Sequence, residues 1–310
     1  MILTAITFII GIALLIKGAG LFVDGGSGLA LRYSISPALI GSTIIAFGTS
    51  LPELVVSTDA AATGNTAIAL GNVLGSNIAN IALILALCTL IRPDMVAASG
   101  TSRPALIQNT MLMFGATAMF ALFASRGTLG TLAGVVFLIL FAGILIIFVR
   151  TGREEAGADI RSRGGTDALY IILGLIAVVI GARLVVESAI VIAEGFGVPA
   201  FVIGVSIVAV GTSLPELATS LVAALHGEGA ISVGNILGSN IFNLLLVLGV
   251  SLLLAPVTIG SWVDIIAVVF FTVAILPLLF ARPALVRGWS VILLIGYGAY
   301  IALAFAAVPG

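Results

Sequence analysis

Residues 41–54 read GSTIIAFGTSLPEL, and residues 204–217 read GVSIVAVGTSLPEL. Residues 71–81, GNVLGSNIANI, return in the same way as GNILGSNIFNL at 234–244. Gly41 to Gly204 and Gly71 to Gly234 are both separations of 163 residues, so the segment joining the two blocks has kept its length in each copy. Apolar helices resemble one another by chance. Matched Thr, Ser, Glu and Asn at one fixed offset do not, and the chain is therefore a repeat of two halves.

The repeat is set in a bilayer. Of the 310 residues, 61% are hydrophobic and 8% charged, whereas a soluble domain carries about a quarter charged residues. The apolar runs are long and continuous, which favours spanning helices of ~20 residues over the short alternating strands of a barrel. A net charge of -1 argues against nucleic acid as a partner, and the single Cys88 excludes both a disulfide framework and a cysteine zinc cluster. With 37 glycines against 10 prolines, the spans are suited to close packing.

Runs bounded by Gly, Pro or charge predict spans near 3–30, 37–62, 67–90, 104–124 and 128–149, then 167–194, 199–225, 230–254, 261–281 and 287–307. Five spans per half is an odd number, so the second copy enters the membrane facing the opposite way. The expected fold is an all-α integral membrane protein of ten transmembrane helices, arranged as two inverted five-helix repeats, as in many secondary transporters. The halves, 1–149 and 167–310, flank the polar stretch RTGREEAGADIRSRGGT at 150–166, read as a solvated linker too short for a regulatory domain. The first run lacks a basic leader and a cleavage site and reads as a retained helix. Threading ten spans places Arg32, Arg92, Arg103, Arg150, Arg153, Arg161, Arg163, Arg282 and Arg287 on one side and Arg126 on the other. The positive-inside rule makes the crowded side cytoplasmic, with both termini outside the cell membrane and the linker inside.

Glu53 and Glu216 lie within apolar spans, where a carboxylate is costly unless it is neutralised, paired or bound to a cation. Each follows a proline, Pro52 or Pro215, whose missing N–H deprives the carbonyl of Gly48 or Gly211 of its helical partner. The second and seventh spans should break there, and broken intramembrane helices are tolerated where freed carbonyls line a cavity or hold an ion. Thr49, Ser50, Thr212 and Ser213 put hydroxyls beside the breaks. Ser76 with Asn80, and Ser239 with Asn243, are spaced i, i+4 and share a helical face, while Gly71, Gly75, Gly234 and Gly238 form small-xxx-small patterns that allow close approach. These donors are all oxygens, which suits hard cations, Ca²⁺ with ~6–8 ligands or Na⁺, rather than zinc or copper.

GTSLPEL paired with GNxxGSNI, each occurring twice, resembles the alpha repeats of the sodium/calcium exchanger family within the cation/calcium antiporter superfamily, in the form without a regulatory domain. The resemblance covers both halves and implies Na⁺/Ca²⁺ antiport by alternating access, with the first and sixth helices gating a central bundle. It implies a Ca²⁺ site of the Glu53 and Glu216 carboxylates and the Thr49 and Thr212 carbonyls. One Na⁺ site would use the Ala46 carbonyl, Ser50, Ser239 and Glu216; its symmetry mate would use the Ala209 carbonyl, Ser213, Ser76 and Glu53. Asn80 and Asn243 would line the middle. Some relatives carry Asp at the position of Asn243, so the amide here weakens any case for potassium co-transport and removes a carboxyl that could bind a proton. Two ionised glutamates give a charge of about -2, which one Ca²⁺ cancels; three Na⁺, the number implied by the resemblance, leave one net positive charge and make transport electrogenic.

Other polar residues read more plainly. Asn77 and Asn240 suit packing, Asn72 and Asn235 a helix start, and Asp59 a cytoplasmic vestibule. Lys17, Asp24, Arg183, Glu187 and Glu194 suit interfacial pairing, with Arg183 and Glu187 at i, i+4. His226 reads as a surface residue near the cytoplasmic end and Cys88 as apolar filler. The expected partners are Ca²⁺, Na⁺ and lipid, with no cofactor and no obligatory protein partner. The competing readings are a Ca²⁺/H⁺ antiporter on the same fold and a cation channel with a carboxylate filter. An enzyme ranks last, for want of an HExxH motif or a Ser/His pairing.

Overall fold

Prolines punctuate the helices. Pro37, Pro52, Pro104, Pro215 and Pro283 all fall within the first two residues of a helix, where a missing N–H costs no intrahelical bond. The uninterrupted apolar runs between them form long rods. The computed structural model describes residues 2–154, 166–196, 211–260 and 262–306. Its helices are α1 (Ile2–Arg32), the bent pair α2 (Pro37–Thr49) and α3 (Leu51–Ala62), α4 (Thr66–Ile91), α5 (Arg103–Ala124) and α6 (Thr131–Glu154). The second half contributes α7 (Asp167–Gly195), α8 (Leu214–Leu225), α9 (Gly229–Leu254), α10 (Trp262–Phe280) and α11 (Pro283–Ala306).

Among the described residues eight helices are long and apolar enough to cross a membrane, or nine with α2 and α3 taken as one bent span. The remaining expected span, 199–225, is represented by α8, since residues 197–210 lie outside the described residues. The fold is thus the expected all-α, two-repeat membrane bundle. Two differences are local. The helix before the linker continues through Glu154 instead of ending at 149, because nothing in VRTGRE breaks it. The run at 261–281 is interrupted at Ile275, just ahead of Pro277, and the Trp289 indole donates to the Ala274 carbonyl beside that break at 2.7 Å.

α4 and α9 form the buried centre, and every residue from Gly229 to Ile241 is buried. On the periphery, Ile139, Ile266 and Ile295 turn outward as lipid-facing residues must. α1 and α7 pack along each other through glycines spaced by seven. A Cβ on Gly18 would come within 2.8 Å of the Val178 nitrogen, and one on Gly181 within 2.6 Å of the Leu15 nitrogen. Gly234 and Gly238 behave as expected, with the Ala38 and Ser42 carbonyls 2.6 Å from where their Cβ atoms would be. The residues that would face Gly71 and Gly75 by symmetry, 201–205, lie outside the described residues.

The arginines gather as threading predicts. The Ser36 N–H donates to the Gly152 carbonyl at 2.9 Å. Gly229 sits against the Met95 carbonyl, and Pro93, Arg103 and Pro283 line one hollow. These contacts bring Arg32, Arg92, Arg103, Arg150 and Arg282 to one end of the bundle; Arg161 and Arg163 lie outside the described residues. At the other end the two-residue strands β1 (Thr128–Leu129) and β2 (Val257–Thr258) pair antiparallel beside Arg126. Asp59 also lies toward that other end, close to the Thr63–Asn65 turn. The vestibule assigned to it on the arginine side is therefore a misplacement: α3 runs away from the arginines.

Candidate ion-binding site

The chain leaves helical geometry at the residue before each Leu-Pro-Glu. Ser50 has φ -85° and ψ 5°, and Ser213 has φ -88° and ψ 4°. Between α2 and α3 the axis bends by 45°. Glu53 and Glu216 consequently stand in the first turn of a new helix rather than in the middle of a continuous one. A helix start offers unpartnered N–H groups and the positive end of the peptide dipole, so it lowers the cost of burying a carboxylate. Both side chains are fully enclosed, at 1% and 0% exposure.

The two breaks meet. The Ser50 hydroxyl donates to Glu216 Oε1 at 3.0 Å, so the bend of one half holds the carboxylate of the other. The Ser76 hydroxyl donates to Glu53 Oε1 at 3.4 Å and accepts from Ser213 at 3.2 Å, so the second bend reaches the first half's carboxylate through Ser76. Gly238, the residue before Ser239, packs against Ala46, where a Cβ would lie 2.8 Å from the Ala46 Cβ. Ala209, the counterpart of Ala46, lies outside the described residues.

Around this core the structure leaves oxygen donors without partners. Glu53 Oε2, Glu216 Oε2, Ser239 Oγ and the entire side-chain amides of Asn80 and Asn243 are buried and have no hydrogen-bond partner among the described residues. A buried polar atom without a hydrogen bond costs roughly 1–3 kcal/mol, and such a concentration at one place marks a site built for a ligand rather than for packing. π-helical turns at Asn80–Leu85 and Phe242–Val247 coincide with the two asparagines, an irregularity frequent at functional sites. Among the described residues no three carboxylates, imidazoles or thiols converge as a metal cluster. The donor set is therefore two carboxylates supplemented by hydroxyls, amides and carbonyls, all of them hard oxygen ligands.

Sequence reasoning missed the braces behind this set. Asn72 and Asn235 are not at helix starts. The Thr49 hydroxyl donates to Asn235 Oδ1 at 3.2 Å while Asn235 Nδ2 donates to Ser220 at 2.9 Å. Symmetrically, Thr212 donates to Asn72 at 3.2 Å and Asn72 to Ser57 at 2.9 Å. Each bend is thus tied to an asparagine of the other half. The signal was present, since Asn72 and Ser57 recur 163 residues on as Asn235 and Ser220. Asn77 Nδ2 donates to the Asn240 carbonyl at 3.3 Å and so ties α4 to α9, while Asn77 Oδ1 is buried without a partner among the described residues. Arg183 and Glu187 pair as their spacing indicates, at 2.7 Å, and Cys88 is a buried free thiol.

An inverted pair of helical repeats closing around two buried carboxylates is the build of a multi-pass membrane transporter for cations, not of an enzyme. Comparison with known proteins narrows the class. The family model described as sodium/calcium exchanger protein matches residues 3–150 and 166–306. The chain is 37% identical to the putative antiporter CaxA of Alkalimonas amylolytica, covering 83% of this chain and 82% of that one. It is 34% identical to the inner membrane protein YrbG of Escherichia coli, over 83% and 81%. The solved structure of the sodium/calcium exchanger from Methanococcus jannaschii superimposes with a TM-score of 0.83 at 31% identity, covering 97% of this chain and 98% of that one. The chain belongs to the sodium/calcium exchanger family and is a cation/calcium antiporter.

Proposed function

We propose that the protein exchanges Na⁺ for Ca²⁺ by alternating access, three Na⁺ for each Ca²⁺, with the arginine-rich end in the cytoplasm and both termini outside. The observation that carries this reading is the pair of cross-half contacts, Ser50 to Glu216 and Ser213 to the Ser76 that holds Glu53, beside a second oxygen on each carboxylate that has no partner among the described residues. Ca²⁺ would be held by the Glu53 and Glu216 carboxylates with the Thr49 and Thr212 carbonyls. Na⁺ would be held by Ser50, Ser239, Glu216 and the Ala46 carbonyl, and by the mirror set Ser213, Ser76, Glu53 and the Ala209 carbonyl, with Asn80 and Asn243 between them. Both cargoes draw on the same two carboxylates, so they compete rather than bind together. A site stripped of both leaves two buried anions uncompensated, which makes unloaded crossing unfavourable and couples the fluxes.

Purified protein in sealed liposomes tests this. A Na⁺ gradient at equal pH should drive ⁴⁵Ca²⁺ uptake, and an imposed membrane voltage should change its rate because one net charge moves per cycle. Uptake driven by a pH gradient and indifferent to Na⁺ would replace this reading with proton antiport. Voltage-insensitive exchange would refute the stoichiometry alone.

A further inference from the structure

A second acidic enclosure lies at the arginine-rich end, where the end of α1, the start of α7 and the α8–α9 connection meet. It is a cavity of about 420 Å³ whose lining includes Asp24, Ser27, Asp167, Tyr170 and Glu228, none of them part of the central site. At ~30 Å³ per water, that is room for roughly a dozen waters. Asp167 is 6% exposed, and its Oδ2 is buried without a hydrogen-bond partner among the described residues. Its other oxygen lies against the Cα of Gly28, where any Cβ would displace it. Across the cavity the Ser27 hydroxyl donates to Glu228 Oε1 at 2.8 Å. Among the described residues, the ion pair made by these acids is that of Asp24 with His226, at 3.7 Å.

The acids here are not a by-product of the repeat. At the positions 163 residues away, Asp167 corresponds to Thr4, Glu228 to Asn65 and Ser27 to Ile190. Only Asp24 has an acidic counterpart, Glu187, and that one is committed to Arg183 at 2.7 Å.

We propose that this cavity binds a divalent cation that keeps its inner water shell, gripped through water by Asp167, Glu228 and Asp24. No three acidic or imidazole side chains among the described residues converge on one point, so a stripped ion with direct carboxylate ligands does not fit. A hydrated one does, because Mg²⁺-like ions dehydrate reluctantly and are held through one or two carboxylates and their own waters. The ion would tie α1 and α7 to the α8–α9 connection at a second place, on the face the arginines occupy.

Mn²⁺ serves as the probe, counted by electron paramagnetic resonance on the full chain in nanodiscs of neutral phosphatidylcholine. The titration is run on the parent and on Glu53→Gln/Glu216→Gln, which silences the central site. One Mn²⁺ should remain in the silenced protein, displaced by Mg²⁺ at concentrations where Na⁺ has no effect. Adding Asp167→Asn or Glu228→Gln should weaken it about tenfold or more, as loss of a charged ligand does at oxygen sites. Should Asp167→Asn fail to fold, Glu228→Gln and the exposed Asp24→Asn decide the matter. No Mn²⁺ in the silenced protein, displacement by Na⁺ as readily as by Mg²⁺, or binding indifferent to these substitutions would overturn the proposal.

Discussion

Ser50 and Ser213 adopt one backbone conformation, each in the bend of its own half, and each bend is braced by an asparagine from the opposite half. At the arginine-rich end no such correspondence exists, for the buried Asp167 answers to Thr4 and Glu228 to Asn65. The contrast reflects what each region faces. At the centre the two halves face each other across a pseudo-twofold axis, so one set of residues is used twice. The two ends face different solutions and different connecting segments, and nothing holds them alike.

The largest effect belongs to the centre. Glu53→Gln and Glu216→Gln should each lower Na⁺-driven ⁴⁵Ca²⁺ uptake by about a hundredfold or more, because each removes half of the charge that balances the cargo. If one variant keeps near-parental uptake, the two halves are not equivalent and the symmetric account of the centre breaks.

A smaller effect comes from close packing. Gly181→Ala would drive its methyl to 2.6 Å from the Leu15 nitrogen in the α1–α7 interface, whereas Gly143→Ala meets no atom within 4 Å among the described residues. The first should destabilise by about 1–3 kcal/mol and the second should be neutral or better. Melting of the detergent-solubilised protein distinguishes them, and equal melting temperatures would mean that the interface yields.

The finest test concerns the two braces. Double-mutant cycles of Thr49→Ala with Asn235→Ala, and of Thr212→Ala with Asn72→Ala, should each give a coupling of about 1 kcal/mol. Agreement between the two cycles within roughly 0.5 kcal/mol, the ordinary limit of additivity, would extend the correspondence from geometry to energy. A brace that couples in one half alone would confine it to geometry.

Much of this was legible in the residues. Helix starts followed from proline positions, spans from uninterrupted apolar runs, and Glu53, Glu216, Ser76 and Ser239 from polar residues repeated where lipid tolerates none. What escaped was relational. Asn72 and Asn235 repeat as faithfully as the glutamates, but their partners Thr212 and Thr49 are 140 and 186 residues away, and no local pattern reports such a contact. The π-helical turns carry no composition signal either, since NIALIL and FNLLLV read as ordinary helix.

The chain by itself determined that two homologous halves cross a membrane in opposite senses and that each carries one carboxylate beside a proline break. These follow from transfer energies and missing N–H groups, which are properties of single residues and their neighbours. Only the folded bundle decided that each bend clasps the other half's glutamate or asparagine, and that Asp167 is sealed against Gly28 near Glu228. Those are distances between segments remote in sequence, set by how rigid helices pack, and packing is a property of the whole assembly of helices rather than of any stretch within it.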